Sequence, residues 1–330
     1  MKYIFDTHQD IAVSLFYLNN TEFYKKNSLH EGESAFDHLP VINQTDFFRL
    51  KKGGVKAVFG VCCALDIKEG KGLPSQDHLK ETKKQLAFYH RLAEEGSQVK
   101  IIKNKEDLEK IKERELSFLL SLEGADSVTD EHILDELFAE GVRSIGLTWN
   151  FSNKLAGGCG EGQDKGLTKT GRRILKKMRE KGILLDLAHI GKRSFYESLE
   201  AFGGPAIMSH TACREVYDSY RNIDDEQIKS IAQAGGAVGI MAYPQMIGGS
   251  SIEKFIEHME HIADLVGTDH IVIGSDFGGM ISKNLVEGLE ETDSFPKLIE
   301  KMRKKGFSED DIDKITRRNI EQILALTLYV

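Results

Sequence analysis

Apolar and polar positions along this chain follow a two-part rhythm. A short apolar run, often β-branched, is followed by a longer charged stretch with helical spacing, and the pair recurs. The runs are "KYIFDTH" at 2–8, "VKAVFGVC" at 55–62, "SFLLSLEG" at 117–124 and "RSIGLTW" at 143–149, then "ILLDLAH" at 183–189, "PAIMSH" at 205–210, "AVGIMAY" at 237–243 and "HIVIGSDF" at 270–277. Near-continuous apolar runs predict strands covered on both faces, the habit of parallel sheets. Between them "DHLKETKKQLAFYHRLAEEG", "TKTGRRILKKMREKG", "DDEQIKSIAQAGG" and "SIEKFIEHMEHIADLVG" read as helices, each closed by Gly. Eight such strands alternating with helices predict an α/β chain folded as a (β/α)8 TIM-like barrel, a single domain over 1–330. "VKIIK" at 99–103 reads as a ninth strand, which keeps a doubly wound open sheet as the structural alternative. From Ser308 a capping-box-like Ser-Glu-Asp-Asp predicts an amphipathic helix to the C-terminus.

In such a barrel the C-terminal ends of the strands gather at one mouth, and several runs end on ionisable residues. The first reaches His8 and Asp10, two positions apart and so on one face about 6–7 Å apart if the strand continues. The third ends at Glu123, the fifth at His189, the sixth at His210 and the eighth at Asp276. Three histidines and two or three carboxylates suffice for two divalent ions, and mixed nitrogen and oxygen donors favour zinc. A glutamate is able to touch both ions of a pair about 3.5–4 Å apart, and such a pair lowers the pKa of a bridging water towards about 7. Metal-assisted hydrolysis is therefore the reaction class the residues suggest. His30, His38, His78, His90, His132, His258, His261 and His270 lie in charged or helical surroundings or at a strand start, and read as structural or exposed.

Composition narrows the partners. The net charge is -8, with 44 Lys and Arg against 52 Asp and Glu, which gives no general attraction for nucleic acid or an anionic membrane. A small-molecule substrate is the expected partner. No apolar segment approaches the roughly 18 residues of a membrane span, and Asp6 breaks the first apolar run before it resembles a signal peptide. Cys62 and Cys63 are adjacent and Cys159 and Cys213 stand alone, neither a disulfide framework nor a zinc-ribbon spacing, which fits a reduced cytoplasmic setting. The segment "GGCGEGQDKG" at 157–166 holds five glycines without the Lys-Ser/Thr ending of a phosphate cradle, so it reads as a flap over the site or a plain surface loop.

Taken together, "DTHQDI", "QTDFFRLKKGGVKAVFG", "SLEGAD", "GVRSIGLTWN", "GLTKTGRRILKKMREKGILLDLAH", "PAIMSHTACREVYDSYRNIDDEQIKSIAQAGGAVGI" and "DHIVIGSDFGG" resemble, in order, the motifs of the membrane (renal) dipeptidase family of binuclear zinc peptidases. The resemblance implies a dipeptidase acting on small peptides through a metal-bridging hydroxide, with tolerance of a D-residue at the C-terminal position (L-Xaa-D-Xaa). It implies His8 and Asp10 as ligands of one metal, His189 and His210 as ligands of the second, and Glu123 as the bridge. Asp276 matches the acid that moves the proton, and Arg221 the arginine that holds the substrate's carboxylate, a role suited to a guanidinium fork. From the residues alone Arg221 reads as a surface ion-pair partner of Asp224 or Asp225. Tyr243 faces either the substrate or the core.

Two positions depart from the family pattern. Trp149 stands where many members have a histidine that binds substrate and stabilises the oxyanion, and an indole donates one hydrogen bond and accepts none. Gly278 turns the usual "DFDG" into "DFGG". Two other readings therefore stay open: another binuclear amidohydrolase-type activity, on lactones, cyclic amides or by deamination, and a non-catalytic metal or peptide binder. The oligomeric state is open too, with a homodimer among the allowed forms.

Overall fold

The computed structural model of the chain describes residues 3–19, 22–27, 29, 33–34, 42–66, 73–74, 77–96, 99–160, 162–279 and 285–329. His30 and His38 lie outside the described residues.

All eight apolar runs contain strands. These are β1 (Ile4–Gln9), β2 (Val55–Cys63), β3 (Leu116–Glu123), β4 (Val142–Gly146), β5 (Leu184–Asp186), β6 (Ala206–Thr211), β7 (Ala237–Ile240) and β8 (Ile271–Ile273). Each pairs in parallel with the next in chain order from β1 to β8. Beyond β8 the chain returns to β1: the Asp276 N–H donates to the His8 carbonyl at 3.0 Å and the Asp10 N–H to the Phe277 carbonyl at 2.8 Å. Those bonds make a nearly closed barrel and rule out the open-sheet alternative. The ninth run does form a strand, Val99–Ile101, but it pairs only with the first half of β3, while β4 pairs with Leu120 to Leu122.

Two side chains of β1 reinforce the seam. The Asp6 carboxylate accepts the Ser275 N–H at 2.9 Å and the Gln9 side-chain amide at 2.7 Å. The Thr7 hydroxyl sits between the Ser209 and Ile273 carbonyls at 2.8 and 3.0 Å. The interior is apolar below that level. Phe5, Phe59, Leu119, Leu184, Ile207 and Val272, from six different strands, cluster with Ile320, Ile323 and Leu324 of the C-terminal helix Asn319–Thr327. That helix stoppers the base, because the Asn319 amide donates to the Thr268 and Ile271 carbonyls, both at 2.8 Å, where β8 begins.

The outer helices start and stop where local chemistry dictates. Thr168 caps helix Lys169–Lys181 by accepting the Gly171 N–H, and Gly182 ends it in the left-handed conformation at φ 70°. Ser308 and Asp311 form the expected capping box, but the helix it starts is not uniform: a π-helical turn at Lys314–Arg318 separates Glu309–Asp313 from Asn319–Thr327. Among the described residues no helix is long and apolar enough to cross a membrane.

Candidate metal centre

The strand ends bring His8, Asp10, Glu123, His189, His210 and Asp276 into one buried cluster at the mouth. The His8 Nε2 lies 3.5 Å from Asp10 Oδ2, 3.7 Å from Glu123 Oε1 and 3.7 Å from Asp276 Oδ1. Glu123 Oε1 also lies 2.7 Å from His189 Nε2 and 3.4 Å from His210 Nε2, so one carboxylate oxygen faces all three imidazoles. Two of the six, His189 and Asp276, have left-handed backbones at φ 62° and 64°. Such conformations cost about 1–3 kcal/mol in a non-glycine residue and are typical of functional sites. They turn the two side chains out of the strand direction and into the mouth.

Charge in the cluster is unbalanced. Burial opposes protonation of His8, but Glu123, Asp10 and Asp276 outweigh it and hold the imidazole at about 10. Burial likewise opposes the Glu123 anion, yet His8 and His189 bring that carboxyl down to about 2. Asp276 is pushed well above the usual carboxylate range, first by burial and then by the Asp10 and Glu123 charges. His189 is pushed down to about 4 by burial and by the Arg221 cation. Packed, buried carboxylates call for cations.

The donor set fits divalent ions. His8 Nε2 is buried and has no hydrogen-bond partner among the described residues, although carboxylate oxygens surround it. The ligand atoms of His8, Glu123 and His210 lie within 4.8 Å of one another, as do those of His8, Asp10 and Asp276. At His189 the Nδ1 contacts Asn150 Oδ1 at 2.7 Å, so Nδ1 carries the proton and Nε2 turns a lone pair towards Glu123 and towards His210 Nε2 at 2.9 Å. A cation between those atoms would reconcile them. A glycine keeps the space open: a Cβ at Gly279 would stand 2.3 Å from Asp10 Oδ2.

Sequence reasoning missed the residues that orient these ligands. Asn150 fixes His189, and the Ser209 hydroxyl lies 2.9 Å from His210 Nδ1. Buried Asp186 accepts the Ser209 and Ala188 N–H groups, both at 3.0 Å, at the ends of two ligand-bearing strands. Their only signal in the sequence is adjacency to a ligand or a strand end.

Beside the cluster lies a cavity of about 300 Å³, walled by His189, Arg221, Arg214, Cys159, Asn222 and Tyr220 among others. Arg221 is only 7 % exposed and its Nη2 donates to His210 Nε2 at 2.7 Å. The surface ion pair expected from the residues alone does not form. Asp224 pairs with Lys192 and Asp225 with His261, and no carboxylate among the described residues pairs with Arg221. Trp149 stacks on His189, ring centroids 5.7 Å apart at 26°, and packs against Val13, Val61 and Cys63. Tyr243 is half-buried at the end of β7, and burial together with the nearby Asp276 and Tyr220 charges pushes its phenol up.

The start of the glycine-rich segment, 157–160, is tied to the site. Cys159 N–H donates to the His189 carbonyl at 2.9 Å and Gly160 N–H to the Asn150 carbonyl at 2.7 Å, and a Cβ at Gly158 would meet Asn150 backbone at 2.5 Å. It is a pinned wall of the cavity.

A profile of the membrane dipeptidase family, peptidase family M19, matches residues 2–327. The chain belongs to that family. It is 27% identical to an uncharacterized dipeptidase of Schizosaccharomyces pombe over 98% of this chain and 80% of the relative. It is also 27% identical to the dipeptidase verJ of Clonostachys rogersoniana, over 86% of this chain and 76% of the relative. Among solved structures, a Rhodobacter sphaeroides metallo peptidase liganded with a phosphinate mimic of L-Ala-D-Ala superposes with a TM-score of 0.81, at 21% identity over 99% of both chains. An amidohydrolase from Pseudomonas aeruginosa superposes with a TM-score of 0.74, at 25% identity over 84% of this chain and 90% of that one.

Membership makes the protein a hydrolase, a metal-dependent dipeptidase. It also gives the second departure a physical reason. Gly278 sits at φ 91°, and a Cβ there would come within 2.9 Å of the Asp10 carbonyl oxygen, so an aspartate does not fit this backbone without a shift.

Proposed function

We propose that this dipeptidase cleaves dipeptides bearing a free C-terminal carboxylate, including those with a D-residue at that end, at a centre of two zinc ions. His8 and Asp10 would hold one ion, His189 and His210 the other, with Glu123 placed to serve both. When bound, the ions polarise the scissile carbonyl and lower the pKa of water enough for attack at neutral pH. The chain's own residues do the rest. Arg221 grips the substrate's carboxylate and thereby fixes the carbonyl over the cluster. Asp276 accepts a proton at its carboxylate and returns it to the leaving amine, a role its place beside His8 and Asp10 allows. Trp149 and Tyr243 flank the substrate, the indole as an apolar wall stacked on His189.

The observation that carries this reading is Arg221: a buried guanidinium with no carboxylate partner among the described residues, touching a ligand of the cluster. A lactone or cyclic amide would leave that charge without purpose, which disfavours other amidohydrolase chemistry. The free thiols Cys62, Cys63, Cys159 and Cys213 support a reduced, cytoplasmic setting for one folded unit spanning 1–330, either alone or as a homodimer.

The test is metal analysis followed by hydrolysis of L,L and L,D dipeptides and their C-terminal amides. Two zinc ions per chain are expected, with amides cleaved at least about 100-fold more slowly, the cost of leaving a buried guanidinium unpaired. Arg221→Met should erase that difference. Equal rates on acids and amides by the wild type would remove the carboxylate-binding role.

A further inference from the structure

The cavity beside the metal cluster holds more positive charge than one substrate carboxylate explains. Arg221 and Arg214 both line it, and both lower the pKa of the Cys159 thiol in the same wall, against the larger upward effect of burial. Arg214 spends one nitrogen holding the chain: its Nη2 donates to the Asn222 carbonyl at 2.9 Å and lies 3.4 Å from that of Ser219. Its Nε is buried with no hydrogen-bond partner among the described residues. Asp218 stands 3.8 Å from that Nε on a side chain 92% exposed, too long for a hydrogen bond and screened by water, and Asp224, the other carboxylate that feels the Arg214 charge, is held by Lys192. Lys192, a third cation at the rim, is already taken by Asp224. Asp164, the carboxylate on the opposite wall, accepts from the Ser194 N–H and hydroxyl and from the Gly166 N–H. Two guanidinium groups, neither with a carboxylate at hydrogen-bond distance among the described residues, thus line one partly enclosed cavity of about 300 Å³. A ligand carrying two carboxylates would pair with both.

We propose that Arg214 forms a side-chain subsite that makes this enzyme prefer dipeptides ending in an acidic residue, glutamate or aspartate. The inference rests on the reading of Arg221 as the holder of the terminal carboxylate. The C-terminal residue then offers its main-chain carboxylate to Arg221 and its side-chain carboxylate to Arg214. The same pair of contacts is available to the released amino acid, so the subsite is measurable without turnover.

Two measurements on the zinc-loaded protein test it. One is the kcat/KM ratio for Ala-Glu over Ala-Gln, with both L and D C-terminal residues, and the other is calorimetric binding of free glutamate against glutamine. The wild type should favour the acid at least tenfold in both measurements with one of the enantiomers. Arg214→Gln should bring both ratios close to one, and Arg214→Lys, which keeps the charge, should retain part of them. If Arg214 served only to shape the loop carrying Arg221, its loss would lower acid and amide alike and leave the ratios standing, which overturns the subsite. Wild-type ratios near one overturn it too. Failure of the underlying reading looks different: Arg221→Met would leave the binding of both amino acids unchanged.

Discussion

The two ends of this barrel are built on opposite principles. At the base, Asn319 satisfies two carbonyls, and Arg317 bridges Asp313 at 2.7 Å and Glu321 at 3.0 Å while Glu321 also takes the Tyr3 hydroxyl. At the mouth, three carboxylates crowd three imidazoles, His8 Nε2 has no hydrogen-bond partner among the described residues, and two non-glycine residues hold left-handed backbones. The polar groups paired at the base stabilise the fold, and the bare ligand atoms at the mouth wait for ions and substrate. Mutations should therefore separate stability from activity according to the end they touch.

The largest effect is expected at Glu123, whose one oxygen faces His8, His189 and His210. Glu123→Gln should lower kcat/KM by about 10³-fold or more, since a shared metal ligand and its charge are lost together. Metal per chain should fall in parallel. The metal-free variant should melt below metal-free wild type, because the lost carboxylate is one that His8 and His189 stabilise as an anion. Retained metal and turnover would mean that the mouth is not the catalytic centre.

A step smaller is the acid sensitivity of the mouth's supports. His258 accepts the Cys213 N–H at 3.0 Å through Nδ1 and faces the Ile247 carbonyl at 3.2 Å through Nε2, buttressing the segment that leads to Arg221. Burial pushes this imidazole down from 6.5 to about 4. Above pH 6.5 it is neutral in both states and costs nothing. Between 6.5 and 4 the unfolded chain takes up a proton that the folded one refuses, so stability falls as pH drops, by about 3 kcal/mol in total. Urea midpoints at pH 7 and pH 4 should show this loss in wild type and less of it in His258→Gln.

At the base, Asn319→Ala strands the buried Ile271 carbonyl and the part-buried Thr268 carbonyl and should cost about 1–3 kcal/mol of stability. Turnover at 25 °C should stay within about twofold, since nothing at the mouth moves. A stable but inactive variant would contradict the division between the two ends.

The same division governs what the sequence makes readable. Strands buried on both faces are mostly apolar, which is why "SFLLSLEG" announced β3 despite its two serines and "AVGIMAY" the start of β7. The runs "ILLDLAH" and "HIVIGSDF" overshot, because β5 stops at Asp186 and β8 at Ile273 while the last residues leave the ladder to aim His189 and Asp276 inward. The ligands stood out as costly polar groups at apolar strand ends. Arg221 did not, since Asp224 and Asp225 offered it an ion pair, and only the fold shows these acids engaged by Lys192 and His261. Asn150 and Ser209 carry no periodic signature at all. Their work depends on which ring nitrogen they meet, and that is decided by tertiary geometry.

The finest test of the contrast falls on Asn150. Its Oδ1 accepts from His189 Nδ1 at 2.7 Å, which leaves Nε2 bare beside Glu123. Removing that acceptor frees the ring to flip or to change tautomer, and a ligand whose outer partner is lost binds metal less tightly, commonly by tenfold or more. Asn150→Ala should therefore weaken zinc binding by about tenfold, some 1.4 kcal/mol, in a competition titration against a chelator. The stability of the metal-free protein should barely change, because the Asn150 carbonyl that anchors Gly160 is main chain and survives the substitution. Asn150→Asp supplies a stronger acceptor at the same place and should keep the affinity or raise it. If alanine and aspartate bind zinc equally, His189 is oriented by its strained backbone alone. The mouth would then owe its geometry to the strand end and not to hydrogen bonds around the ligands.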